Sequence, residues 1–224
     1  MEAILFDWDG TLVDSLGRLY RANLAVLTAF SLPYDEATYR ATYQPDWRPM
    51  YRRLGVPADR LEEANDRWRA AYADGTPNEL FPGTAEALER LAGTGLRLGL
   101  VTAGERSIVA PQLRRLGLAG RFSAEVFADD LPVHKPDPRP LRVALDILGL
   151  ADRPAAAAYV GDFTDDMRMA RAAGCRAIGI ASMLADRADL LAAGAHDVAA
   201  SVVEWVDRAI GIMLVDRPPR AAAI

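Results

Sequence analysis

The stretch Ala3-Ile4-Leu5-Phe6-Asp7-Trp8-Asp9-Gly10-Thr11 places four apolar residues ahead of two carboxylates one residue apart, followed by a glycine. An apolar run without polar alternation reads as a strand covered on both faces, the pattern of a parallel sheet. The end of such a strand delivers Asp7 and Asp9 to a sheet edge, and Gly10 permits a sharp turn there. Runs of the same kind recur at Leu96 to Val101, Ala124 to Ala128, Ala156 to Val160 and Ala177 to Ile180. Between them lie amphipathic stretches, Thr84 to Leu91, Arg106 to Leu116, Pro138 to Leu148 and Asp165 to Ala173. The alternation predicts an α/β fold: a doubly wound, Rossmann-like, mostly parallel sheet covered by helices.

The alternation breaks between Ser15 and Leu80, where no strand is expected. Leu16 to Phe30, Asp35 to Tyr43 and Asp59 to Tyr72 carry apolar residues at helical spacing, punctuated by Pro33, Pro45, Pro57 and Pro77. The chain therefore divides into a core, 1–15 and 81–214, an all-helical cap, 16–80, and a frayed tail, 215–224. An insert that follows the first strand emerges at the carboxyl edge of the sheet, where doubly wound folds bind ligands.

Composition narrows the classes. At 224 residues, 51% apolar and 25% charged, the chain suits one core with an insert. A formal charge of -5 supplies no broad basic field, which disfavours nucleic acid. The amino terminus reaches Asp7 too soon for a signal peptide's apolar stretch, and no later window reads as a membrane span, so a cytoplasmic location is expected. The lone Cys175 reads as a small core residue. Of 26 basic residues, 25 are arginine and one is Lys135, which marks that position as one suited to a compact ammonium rather than a planar fork.

The other strand ends are also polar. The second leads into Thr102-Ala103-Gly104, the third is followed by Val133-His134-Lys135-Pro136-Asp137-Pro138, and the fourth by Gly161-Asp162-Phe163-Thr164-Asp165-Asp166. Pro136 and Pro138 restrict the loop that presents Lys135. With these segments in this order, the sequence resembles the haloacid dehalogenase superfamily of phosphatases, particularly phosphoglycolate phosphatase-like members with a helical cap, from Ile4 to about Gly194. The resemblance implies that Asp7 attacks phosphorus and that Asp9 protonates the leaving oxygen and then activates water. It implies Mg2+ held by Asp7, the Asp9 backbone carbonyl and Asp162, with Asp166 supporting the metal or the lysine from behind. Thr102 would hold a phosphoryl oxygen and Lys135 would steady Asp7. An acid at the position of Asp9 separates phosphatases and phosphomutases from dehalogenases.

Electrostatics asks for the same parts. Two unit charges 4 Å apart interact by about 4 kcal/mol at an effective dielectric of 20, so clustered carboxylates need cations. Four aspartates bring -4, to which Lys135 and Mg2+ return +3; oxygen ligands suit Mg2+. One residue departs from the pattern: Ala103 stands where many relatives carry Asn or Ser. The backbone N–H groups of Ala103 and Gly104 are expected to bind phosphate instead, with Gly104 free to adopt a positive φ.

In the insert, Arg48 and Arg52 lie four apart, Pro49 falling in a first turn, and are candidates to clamp an acidic leaving group. The insert has no lysine, which excludes a cap Schiff base; His134 is expected only to flank Lys135, and His196 to sit at the surface. The expected partner is a small phosphorylated molecule, with phosphoglycolate, sugar phosphates, nucleotides and pyrophosphate all compatible; the sequence sets no oligomeric state. A sugar phosphomutase would use the same residues. A receiver domain, from another class, would carry its acid pair and its acceptor on different strands and would have no helical lid. A Schiff-base aldolase on Lys135 is a third reading.

Overall fold

The computed structural model describes residues 1–215, with side chains described through Gly211. Six parallel strands are ordered β5-β4-β1-β6-β7-β8. They are β1 (Ala3–Phe6), β4 (Arg97–Val101), β5 (Ala124–Val126), β6 (Ala157–Gly161), β7 (Arg176–Ile180) and β8 (Asp197–Ala199). β1 lies at the centre, with Ile4 in register with Leu98 on one side and Ala158 on the other. The strand order therefore reverses across β1, and the crevice outside its carboxyl end is the topological switch point where such sheets bind ligands.

Period-two alternation explains the two cores. Ile4 and Phe6 face a layer built from α5 (Thr84–Gly93), α6 (Arg106–Arg115) and α10 (Val202–Val215), through Leu88, Val109 and Val206. Ala3 and Leu5 face α7 (Arg139–Ile147), α8 (Thr164–Ala173) and α9 (Arg187–Ala192), through Leu141, Met167 and Leu190. Cys175 is buried in this second layer, as expected, and burial pushes its thiol up to about 12.

Between Ser15 and Leu80 the chain forms four α-helices: α1 (Leu16–Ala29), α2 (Glu36–Thr42), α3 (Trp47–Leu54) and α4 (Leu61–Asp74). Asp35 caps α2 by accepting from the Thr38 N–H at 2.7 Å, and Asp46 caps α3 by accepting from Arg48 N–H at 3.1 Å. Pro49 falls in the first turn of α3, where its missing donor costs nothing. Val26, Leu27, Met50, Tyr51 and Ala64 give these helices a small core of their own.

Two expectations need correction. The segment from Ser15 to Leu80 does contain a strand: β3 (Glu79–Leu80) pairs antiparallel with β2 (Val13–Asp14), so a two-residue ribbon joins the departing and returning chain. β8 was also unforeseen; three residues are too few to display a period. Of the expected tail, 215–224, Val215 closes α10 and the remainder lies outside the described residues. Among the described residues, no helix is long and apolar enough to cross a membrane.

Candidate active site

The end of β1 sets the geometry. Asp7 N–H donates to the Val160 carbonyl at 2.8 Å, which continues the ladder one residue past the strand and fixes the Asp7 Cα at the switch point. The chain then turns tightly: the Trp8 carbonyl accepts from Leu12 N–H at 3.0 Å and Gly10 N–H donates to the Val13 carbonyl at 2.9 Å. Gly10 has φ of 75°, and a Cβ there would stand 2.4 Å from Asp162 Oδ2. Glycine is required twice, by the turn and by the approach of the second acid.

Lys135 is buried and places Nζ 2.5 Å from Asp7 Oδ1 and 2.8 Å from Asp166 Oδ1, with the Tyr159 ring centroid 5.3 Å away. A compact ammonium fits between two carboxylates in a closed pocket, whereas a guanidinium fork would displace one of them. Asp166 is held by Phe163 N–H, which donates to Oδ2 at 3.0 Å. It reaches the lysine by passing over Gly161, where a Cβ would stand 2.5 Å from Asp166 Cγ. Gly161→Ala is expected to displace this carboxylate and cost about 1–3 kcal/mol, read as a fall of several degrees in Tm. An unchanged Tm would show that the backbone yields without moving Asp166.

Asp162 accepts from the Thr11 hydroxyl at 3.1 Å through Oδ1, while its buried Oδ2 has no partner. Asp9 Oδ1 is likewise buried without a partner. Oxygens of Asp7, Asp162 and Asp166 lie within 4.8 Å of one another. The Asp9 side chain stands outside this trio and Asp166 stands inside it, closer to the centre than the sequence suggested. Three buried carboxylates around an unpartnered oxygen fit a hard divalent cation, since an uncompensated buried carboxylate oxygen is costly.

Burial raises Asp7 to about 7 from its ordinary 3.8, with Lys135 pulling down and Asp166 pushing up. Burial also raises Asp162, reinforced by Asp7 and Asp166. Burial raises Asp9, opposed by Ser15, Lys135 and Arg18. Burial pulls Lys135 down, but Asp166 and Asp7 outweigh it and hold the ammonium above its usual range.

Thr102 directly follows β4, its N–H donating to the Val126 carbonyl at 3.0 Å. Its Oγ1 accepts from Gly104 N–H at 2.9 Å, so that N–H is engaged with Thr102. Gly104 does not adopt a positive φ, contrary to expectation. A Cβ there would stand 2.6 Å from Val109 Cγ2 and 3.3 Å from Thr102 Oγ1, so the close approach of these side chains favours glycine. A cavity of about 20 Å³ joins Asp7, Asp9, Thr102, Ala103, Lys135 and Asp162, and the insert roofs it with Tyr43 and Pro45. Tyr43 also packs edge-on against Phe163 of the core, ring centroids 5.1 Å apart.

The expected clamp residues lie elsewhere. Arg48 stacks on the Trp47 ring at 4.3 Å and pairs with Glu62 at 3.5 Å, and Arg52 Nε donates to the Arg48 carbonyl at 3.4 Å. Neither lines the small cavity or a second, larger one under the insert. Helical spacing put them on one face, but that face points away from the core. His196 is exposed, its Nδ1 accepting from Ala177 N–H at 2.9 Å. Thr11 and Tyr43 were missed; Thr11 sits in the opening stretch beside Asp9, whereas nothing in the sequence singles out Tyr43.

A parallel sheet that converges carboxylates, a lysine and a threonine at its switch point under a helical roof defines a capped α/β hydrolase of the phosphatase kind. The chain belongs to the haloacid dehalogenase-like hydrolase family, whose model matches residues 4–180. It is 35% identical over 189 residues to phosphoglycolate phosphatase of Pectobacterium atrosepticum, covering 80% of each chain. It is 32% identical over 219 residues to that of Chromobacterium violaceum, covering 92% of this chain and 96% of the relative. A haloacid dehalogenase-like family hydrolase from Streptococcus pneumoniae superposes with a TM-score of 0.79 at 27% identity, covering 93% of this chain and 98% of that one.

Proposed function

We propose that the protein is a Mg2+-dependent phosphomonoesterase that acts through an aspartyl phosphate on Asp7. The observation that carries this reading is the buried Lys135 ammonium 2.5 Å from Asp7 Oδ1, beside an unpartnered Asp9 carboxylate oxygen. Lys135 holds one Asp7 oxygen and leaves the other for phosphorus. Asp7 forms the new P–O bond as the ester P–O bond breaks, and Asp9 gives its proton to the departing oxygen. A water then attacks phosphorus, Asp9 takes its proton, and the Asp7–phosphorus bond breaks to release phosphate. Burial, by raising Asp9, favours the protonated form needed for the first step. The Thr102 hydroxyl, its oxygen already accepting from Gly104, has its hydrogen for a phosphoryl oxygen. Asp7, Asp162 and the Asp9 carbonyl would hold Mg2+, with the Asp166 carboxylate close beside them, and the ion would supply positive charge against the phosphoryl oxygens. A cytoplasmic location and a small phosphorylated metabolite as partner belong to the same reading, as does the division into core and cap at 16–80.

The test is phosphate release from a phosphomonoester panel with and without Mg2+, in the absence of any sugar bisphosphate. Release that requires Mg2+ supports hydrolysis; transfer only with a bisphosphate primer would make the protein a mutase. Asp9→Asn is expected to lower kcat about a hundredfold to ten-thousandfold, more for alkyl than for aryl esters, whose leaving oxygens need less protonation. Full turnover across that series would remove Asp9 from the proton transfer.

Mg2+ should also act on stability. A carboxyl raised from 3.8 to about 7 makes the metal-free fold lose stability as pH rises from about 4 to 7, because the folded state retains protons that the unfolded chain has released. A divalent cation displaces those protons and reverses the penalty. Mg2+ is expected to raise Tm more at pH 8 than at pH 5.5. An equal shift at both values would place the ion away from Asp7.

A further inference from the structure

Beneath the insert a second cavity, of about 120 Å³, opens onto Asp9, Ala103 and Gly104, where the leaving group of a phosphomonoester would lie. We infer that this leaving group is an uncharged, apolar, ring-sized alcohol rather than a small carboxylate such as glycolate. The inference rests on the phosphomonoesterase reading above.

The walls carry the argument. Tyr43, Trp47, Tyr51, Trp68 and Tyr72 line the cavity, with Trp68 stacked on Tyr72 at 4.8 Å and Trp47 against Tyr51 at 5.8 Å. Ring-on-ring packing fixes these surfaces, so the space is preformed for a flat apolar group. An apolar cavity of about 150 Å³ accepts benzene, and a cavity of about 120 Å³ that is open on one side is of the size of a single ring. A two-carbon acid would leave most of that space unfilled.

Charge points the same way. Among the described residues no lysine or arginine lines the cavity, whose ionisable carboxyls are Asp9 and Glu105. The arginines that approach its walls have partners there, although Arg18, which does not line the cavity, keeps an unpartnered Nε. Arg18 donates to the Tyr72 carbonyl and stacks on its ring at 4.2 Å, Arg48 stacks on Trp47, and Arg69 pairs with Glu105. A carboxylate placed here would lose its water and meet no lysine or arginine in the wall. Gln44 and Asn65 offer neutral amides for one or two hydrogen bonds at the ring's edge.

Four alkyl monoesters decide it: benzyl phosphate, ethyl phosphate, phosphoglycolate and glucose 6-phosphate, each assayed for Mg2+-dependent phosphate release by the full chain. Benzyl phosphate is expected to exceed ethyl phosphate in kcat/KM by about tenfold or more, mainly through KM, with phosphoglycolate below both. Trp68→Ala should shrink the benzyl-to-ethyl ratio. Ile108→Arg, which puts a cation in the wall, should raise phosphoglycolate relative to benzyl phosphate; because both readouts are ratios, partial loss of folded protein does not imitate them. Phosphoglycolate or glucose 6-phosphate ahead of benzyl phosphate overturns the inference and leaves the phosphomonoesterase reading standing. No Mg2+-dependent release from any of the four removes that reading, and the inference with it.

Discussion

Asp7→Asn is expected to abolish turnover, with kcat lowered by about ten-thousandfold or more, in a protein that folds at least as well as the parent. A loss of that size corresponds to about 5 kcal/mol of transition-state stabilisation, in the range seen when a nucleophile is removed from a site whose parts act together. The amide nitrogen cannot form the phosphoryl bond, and the amide oxygen is a poor nucleophile. The fold should survive because the change removes a buried charge and keeps its shape. Asp7 is held near 7, so at pH 8 its ionised form opposes the metal-free fold, and below about pH 4 that contribution vanishes. The variant without Mg2+ should therefore match or exceed the parent's Tm at pH 8 and lose that advantage at pH 4. Lys135 keeps a partner in Asp166 at 2.8 Å, which prevents a second unpaired charge. Phosphate release near the parental rate would exclude Asp7 as the nucleophile, and a collapsed Tm would make its role structural.

Much of the candidate cluster could be read from the sequence because Asp7, Thr102 and Asp162 each follow a buried strand. A run such as Ala3 to Phe6 has no polar residue with which to be anything but a covered strand, and the parallel sheet then carries Asp7, Thr102 and Asp162 to one edge. Lys135 was conspicuous for a chemical reason that the structure supplies, a site between two carboxylates too close for a guanidinium. Under the insert the sequence was much less informative. Spacing placed Arg48 and Arg52 on one face of α3, and the structure buries Met50 and Tyr51 of that helix. It did not tell how the four helices sit on the sheet, which is set by contacts between distant segments. Arg40 pairs with Asp189 at 2.7 Å, and Tyr43 packs on Phe163. For that reason Arg48 and Arg52 were natural candidates and Tyr43 was not. Gly104 failed differently: a glycine in a loop suggests a positive φ, but here it is favoured by the approach of Val109.

Lys135→Met is expected to cost both activity and stability. In the folded protein Asp7 and Asp166 meet the same ammonium from two sides. Breaking a buried ion pair by removing one partner typically costs about 3–5 kcal/mol, which for a chain of this size is a Tm fall on the order of 10 °C. The sign with pH follows from the groups left behind. Lys135 is held above its ordinary 10.5, so in the parent its charge is intact from pH 5 to 9. Without it Asp7, already held near 7, moves further up: at pH 5 the folded carboxyl carries its proton in parent and variant alike, whereas at pH 8 the parent's ionised carboxyl is compensated by Lys135 and the variant's is not. The Tm deficit should accordingly be larger at pH 8 than at pH 5, and Mg2+ should recover only part of it. Lys135→Arg separates charge from shape: it restores the cation but pushes one carboxylate aside, and is expected to regain much of the lost Tm while kcat stays about a hundredfold down, since misplacement of about 1 Å suffices for that. An arginine variant with parental kcat would mean that any cation serves, and the single lysine among 26 basic residues would then have no catalytic explanation.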